Sequence, residues 1–256
     1  MTRRLRNLTT MLTVVLCVII FVAVVKGAVH IPLTQLFNRD NSVIVQLRFM
    51  RILIAVVAGI GLSVSGIVLQ AILRNPLAEP YLLGTSSGAG LGAVLGVSRL
   101  YMPVAAFTGA IGSVMVVYAL AWQRTKVKQE SLILSGVVVS VVLSAVIVFL
   151  ISISNNSLLH EVTWWLWGSF QIYDPLLLFI VSGIVLLGTG IMYVFAQDLN
   201  AISIGEEEAV HLGVHTELVK KALIAVVALI TASLVSLCGI IGFVGLIVPH
   251  TMRLLV

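Results

Sequence analysis

Residues 48–96 read RFMRILIAVVAGIGLSVSGIVLQAILRNPLAEPYLLGTSSGAGLGAVLG, and how this stretch is parsed decides the fold. From Ile52 to Leu73 no residue is charged. An α-helix needs about 20 apolar residues to cross a hydrocarbon core of ~30 Å, so the run is long enough to span a membrane. It breaks at Arg74-Asn75-Pro76, and a second, glycine-rich apolar run starts after Pro80. Neither proline can continue a preceding helix, and each pushes its predecessor, Asn75 or Glu79, out of the α region. The stretch predicts two membrane helices joined by a stiff, non-helical corner.

Outward from this stretch the same pattern repeats. Of 256 residues 60% are hydrophobic and 10% charged, whereas soluble domains carry about 25% charged residues. The fold class is all-α and integral to a membrane, a single polytopic helix-bundle domain over 1–256 with no room for a separate soluble catalytic domain. Apolar segments fall at about 8–27, 51–73, 81–98, 102–123, 131–153, 175–196, 222–238 and 240–255, which predicts eight spans. The last two are only 17 and 16 residues long. There Gly239, Gly242 and Gly245 also allow a tight hairpin or a re-entrant segment. With the N-terminus cytoplasmic, ten cations fall inside: Arg3, Arg4, Arg6, Arg74, Arg124, Lys126, Lys128, Lys220, Lys221 and Arg253. Five fall outside: Lys26, Arg39, Arg48, Arg51 and Arg99. The excess of inner cations supports this orientation and accounts for the net charge of +5 without a nucleic-acid partner. The basic start resembles a signal peptide, but Leu8–Val25 outruns a typical h-region and no A-x-A site follows, which predicts a retained first span. Cys17 and Cys238 lie in apolar runs and read as packing residues.

Chemistry-bearing residues are sparse. Asp, Glu, Lys, Arg and His are absent from 52–72, 102–123, 131–159 and 175–197. Ion-coupled carriers normally keep an ionisable group at membrane depth, and intramembrane metal chemistry needs clustered ligands. Both readings are weakened, and no metal site is expected. His211 and His215 are four apart but have no third ligand nearby. Gly84, Gly88, Gly92 and Gly96 recur every four residues, a small-residue face that lets helix backbones approach closely. Arg48 and Arg51 share a helix face at the outer mouth, where they suit carboxylates of a partner or lipid phosphate. Trp164, Trp165 and Trp167 form either an interfacial aromatic belt or a stacking surface. The loop 198–221 is the longest polar stretch. In it Glu206, Glu207 and Glu208 open a short helical pattern with Ala209, Val210 and Leu212 as its apolar side and Gly213 as its stop. Such a helix on the cytoplasmic face is either a solvated connector or an element that docks into a partner's groove.

Five stretches occur in an order that resembles one family: LRFMR, QAILRNPLAEPYLLGTSSGAGLGA, WWLWGSF, IGEEEAVHLGV and GIIGFVGLIVPHTMRLL. From about residue 40 onward the chain resembles the permease subunits of ABC importers for ferric siderophores, haem and cobalamin. The resemblance implies a dimer, either of two identical permeases or with a paralogue, in a bacterial or archaeal cytoplasmic membrane. ABC ATPase subunits would dock below and an extracytoplasmic substrate-binding protein above. By similarity Arg48 and Arg51 match the binding-protein docking arginines, although Met50 stands where the family usually has proline. Asn75 and Leu77 match the cytoplasmic gate. Gly205, Glu206, Ala209, Leu212 and Gly213 match the helix that couples to the ATPase. Gln129 and Glu130 occupy a second gate position without the family's small polar pair, so that role is not carried over. The family has ten spans, and the chain lacks the last two helices expected for it. No catalytic residue and no cofactor is expected in this subunit, since ATP and magnesium would bind the ATPase. The rival readings are an integral-membrane enzyme and an ion-coupled secondary transporter.

Overall fold

The computed structural model describes residues 3–27, 29, 41–96, 102–123, 126–154, 156–171 and 174–255. Six of its helices are long and apolar enough to cross a membrane: α1 (Arg3–Val25), α2 (Ser42–Ile72), α4 (Met102–Ala121), α5 (Gln129–Ser152), α7 (Pro175–Val194) and α10 (Thr216–Cys238). Between them lie α3 (Thr85–Gly96), α6 (Asn156–Leu166), α8 (Ala196–Ile204) and α9 (Glu206–His211), and α11 (Val244–Leu255) follows α10. A minimal hairpin, Trp122–Gln123 paired with Lys126–Val127, joins α4 to α5.

The bundle is organised around α2 and α10. Ile54, Leu62, Leu69, Leu223, Ile230 and Leu234 are fully buried, and α2 touches α1, α7, α8, α10 and α11. Gly61 lets α10 approach: a Cβ there would stand 2.8 Å from the Leu234 side chain. The start of α7 carries its own signals. Asp174 accepts from the N–H groups of Leu176 and Leu177 at 2.9 and 3.4 Å, and Pro175 fills the first helical position, where no donor is needed. By contrast α1 is exposed on all sides and touches α2 alone among the described elements with appreciable contact.

Two of the eight expected spans are corrected. Segment 81–98 does not form one helix: a single 3₁₀ turn covers Pro80–Leu83, Gly84 adopts φ 77°, and α3 starts only at Thr85. Its 12 residues extend about 18 Å, short of a ~30 Å core. Segment 240–255 likewise reduces to α11, 12 residues preceded by a non-helical stretch. The reason is the same in both places. Backbone that composition assigned to helices folds back beside α2, with φ positive at Gly84, Gly239 and Phe243, a conformation no α-helix contains. At Gly66, α2 passes so close to Gly245 that an added Cβ would lie 1.9 Å from its carbonyl oxygen.

Three of the four glycines of the stripe face α4 from α3, and the first precedes that helix. Gly84 caps the 3₁₀ turn in the left-handed region and stands outside the helix. Gly88, Gly92 and Gly96 face α4, where added Cβ atoms would meet Gly109 O at 2.4 Å, Ala105 O at 2.0 Å and the Ala105 Cβ at 2.6 Å. Backbones this close pack without side chains between them, the arrangement small residues permit in lipid.

Candidate functional site

One end of the bundle gathers the polar side chains. The chain leaves α2 through Arg74, in the left-handed region at φ 44°, and turns on Asn75. The Asn75 side-chain oxygen accepts from Leu77 N–H at 2.9 Å, and its carbonyl accepts from Ala78 N–H at 3.1 Å. These local bonds replace the helical ladder that Pro76 interrupts. Leu77 projects from the turn, 69% exposed, while Ala78 is fully buried. Burial of Ala78 requires a partner for its carbonyl, and Gln70 supplies one. The Gln70 amide nitrogen donates to Ala78 O at 3.2 Å and to Gly245 O at 3.3 Å, and its oxygen accepts from Arg253. A single buried side chain thus holds the Asn75 turn, the start of α11 and its end. Tyr81 adds a second tie: its hydroxyl donates to Ile241 O at 3.0 Å and accepts from Ile241 N–H at 3.3 Å.

Beside this turn lies the segment 205–213. Gly205 separates α8 from α9, and Gly213, at φ 83°, ends the segment as its position in the sequence predicts. Ala209 is fully buried against the bundle, whereas Val210 and Leu212 are exposed. The apolar side of α9 therefore divides, one residue anchoring and two facing outward. Glu206 turns inward and ion-pairs with Lys220, whose side chain is only 6% exposed; Glu217 lies 3.8 Å from the same ammonium. Gln129 joins the group by donating to Glu206 at 3.2 Å and to Ile72 O, at the carbonyl end of α2, at 2.8 Å. A continuous polar chain runs from α10 through α9 and α5 to α2, one residue before the turn begins.

Between α9 and the start of α5 an open cleft of about 720 Å³ is lined by Arg74, Lys128, Glu130, Glu207, Glu208 and His211 among others. Cations and carboxylates face each other across it. His, Cys, Asp and Glu side chains form no three-membered metal-binding group among the described residues.

At the opposite end Arg48 and Arg51 differ in their surroundings. Arg48 donates to Val24 O at 2.8 Å, to Val25 O at 3.1 Å and to Val29 O, so it covers the carbonyl end of α1, where a cation is favoured. Arg51 is exposed and has no hydrogen bond or ion pair among the described residues. Trp164 and Trp165 lie on α6, and Trp167 follows its last residue. Trp164 and Trp167 meet edge to face at 5.1 Å, both exposed, while Trp165 packs on the core. His30 and Arg39 fall outside the described residues.

Gln70, Lys220 and Arg253 were not singled out from sequence as site residues. A signal for Gln70 was present, since a lone amide in an otherwise uncharged span must find partners when buried.

The sequence profile of the FecCD transport family matches residues 14–256. The chain belongs to this family. Among its relatives, a cobalamin import system permease protein from Halobacterium salinarum is 36% identical over 215 residues, covering 82% of this chain. The chain spans 58% of that relative's length. A hemin transport system permease protein from Yersinia pestis is 30% identical, with 89% of this chain and 72% of the relative aligned. A molybdate import system permease protein from Haemophilus influenzae is 36% identical, with 85% and 66% aligned. A solved structure described as an inward-facing conformation of a metal-chelate type ABC transporter superposes with a TM-score of 0.88 at 31% identity. It covers 97% of this chain and 81% of its own.

Proposed function

We propose that this chain is the transmembrane permease of a binding-protein-dependent ABC importer, moving an iron chelate (a siderophore or haem) or cobalamin across a bacterial or archaeal cytoplasmic membrane. The observation that carries the reading is the polar chain from α9 to the end of α2. A short helix presenting Val210 and Leu212 outward, wired by Glu206 and Gln129 to the residue before the Asn75 turn, suits a part that receives a push from below and delivers it to a gate. ATP and magnesium then belong to ATPase subunits docked at this end, and this subunit carries no cofactor of its own. Asn75 and Leu77 form the inner gate, and the positive-inside bias puts that end, with the N-terminus, in the cytoplasm. A substrate-binding protein docks at the opposite end on Arg51, whose guanidinium is free to pair with a carboxylate, while Arg48 chiefly secures α1. A second permease copy or a paralogue completes the pathway.

The lack of ionisable groups in the central part of most spans argues against an ion-coupled carrier. Among the described residues no nucleophile–base pair or carboxylate pair faces a cavity at membrane depth to favour an enzyme. Reconstitution with a cognate ATPase and binding protein tests the reading. Cargo-loaded binding protein is expected to stimulate ATP hydrolysis and ATP-dependent uptake into vesicles. ATP-independent uptake driven by an ion gradient would overturn it.

A further inference from the structure

Away from the polar end, an apolar groove of about 470 Å³ runs between α4 and α10. Its walls are Ile111, Val114 and Met115 from α4 and Ile224, Ala225 and Ala228 from α10, each set three or four apart along one helix face. The alanines make the hollow: Ala119, Ala225 and Ala228 leave the helices in contact through backbone and short side chains, with a channel beside the seam. At its inner end stand Tyr118, Trp122 and Lys221. The Lys221 ammonium lies 4.3 Å from the Trp122 ring centroid, and Tyr118 packs beside the same indole at 5.8 Å. The Tyr118 hydroxyl is shielded from water and has no hydrogen-bond partner among the described residues.

We infer that this groove holds one acyl chain of an anionic phospholipid, with the phosphate at Lys221. Three features select that occupant. The groove lies on two membrane-crossing helices and opens to the bilayer side, since Met115 and Ala225 are exposed. From Ile111 to Trp122 the α4 wall rises about 16 Å, close to half of a ~30 Å core, so it accommodates one leaflet's chain rather than a spanning helix. Among the described residues the only charged one lining the groove is a cation, at the mouth, beside an amphipathic indole of the kind that sits at headgroup level. Basic sites between helices at the cytoplasmic face attract anionic headgroups.

The mouth carries its own fluorescent reporter in Trp122. The full chain is reconstituted in phosphatidylcholine vesicles containing a minor fraction of a lipid brominated on its acyl chains, either phosphatidylglycerol or phosphatidylcholine. Quenching assigned to Trp122 is the difference between the native chain and Trp122→Phe. One lysine–headgroup contact corresponds to about fivefold enrichment of the anionic lipid at the site. Lys221→Gln is expected to abolish that preference, and Ala225→Leu, which fills the groove, to reduce quenching by both lipids. Native mass spectrometry of the purified chain is expected to retain one phosphatidylglycerol, lost in Lys221→Gln. Equal quenching by the two lipids in the native chain would overturn the assignment, leaving only bulk lipid at the helix surface. Quenching by neither lipid would also overturn it, with protein rather than lipid occupying the groove. Neither result depends on an ATPase or a binding protein, so failure here is separable from failure of the importer reading.

Discussion

Replacing Glu206 with glutamine preserves its size and hydrogen-bonding reach but removes the charge paired with Lys220. The ammonium it leaves behind is on a side chain only 6% exposed, with Glu217 at 3.8 Å as the remaining counter-charge. Stranding a buried charge costs about 3–5 kcal/mol when no compensation remains. Glu206 is itself one-third exposed and Glu217 persists, so the cost here is about 2–3 kcal/mol. For a chain of this size each kcal/mol moves the melting temperature by roughly 2–4 °C, which gives a drop of about 4–12 °C. Lys220→Met removes the stranded charge, and apolar replacement of a buried pair is close to neutral. The double variant Glu206→Gln/Lys220→Met is therefore expected to melt above Glu206→Gln alone, a coupling of about 2 kcal/mol between the two sites. Thermal unfolding of detergent-purified chains by intrinsic fluorescence measures all three variants in one series. A Glu206→Gln chain that melts within about 1 °C of the parent, or a double variant equal to the sum of the singles, would refute the ion pair as a fastening of α9.

Other perturbations follow from single contacts. Gln70→Leu leaves the Ala78 and Gly245 carbonyls without their donor, at about 1–3 kcal/mol for each buried group. A cysteine placed at 77 is then expected to react faster with a maleimide, and an unchanged rate would separate Gln70 from the turn. Gly92→Val drives a side chain into Ala105 O, 2.0 Å from an ideal Cβ, and is expected to reduce folded yield, as measured by size-exclusion chromatography in detergent. Gly59→Ala, where nothing lies within 4 Å, is its control and is expected to leave the yield unchanged. Arg51→Glu is expected to weaken capture of the binding protein by the reconstituted complex at least tenfold, about 1.4 kcal/mol, with no loss of melting temperature. Arg48→Ala is expected to lower the melting temperature through α1, whose terminal carbonyls it covers.

The membrane class and most spans were legible because lipid enforces uncharged runs of a fixed length, and α2, α4, α5, α7 and α10 each obey that rule. The two short helices were not. Residues 80–84 and 239–243 carry no charge, so composition cannot distinguish them from helix; what excludes a helix is the positive φ of Gly84, Gly239 and Phe243, together with the ties of α2 to the flanking Ala78 and Gly245 through Gln70 and Gly66, contacts 8 to 179 residues apart in sequence. The Asn75 turn and the α9 stop at Gly213 were legible because proline, asparagine and glycine impose local backbone geometry. The Glu206–Lys220–Gln129 group was not, because its members come from three helices and none is unusual in its own segment. Arg48 shows the converse: its spacing from Arg51 suggests two equivalent groups, and only tertiary packing brings Arg48, and not Arg51, onto the carbonyl end of α1.

The central claim is that α9 transmits force from an ATPase to this chain. Its most direct test is co-purification of the chain from native membranes, followed by immunoblotting or mass spectrometry for a nucleotide-binding subunit. The intact chain is expected to retain that subunit, and Leu212→Asp, which charges the exposed apolar residue capping α9 without touching the core, is expected to lose it while the permease stays folded. Full retention of the subunit by Leu212→Asp, or no ATPase recovered with the intact chain, would contradict the account.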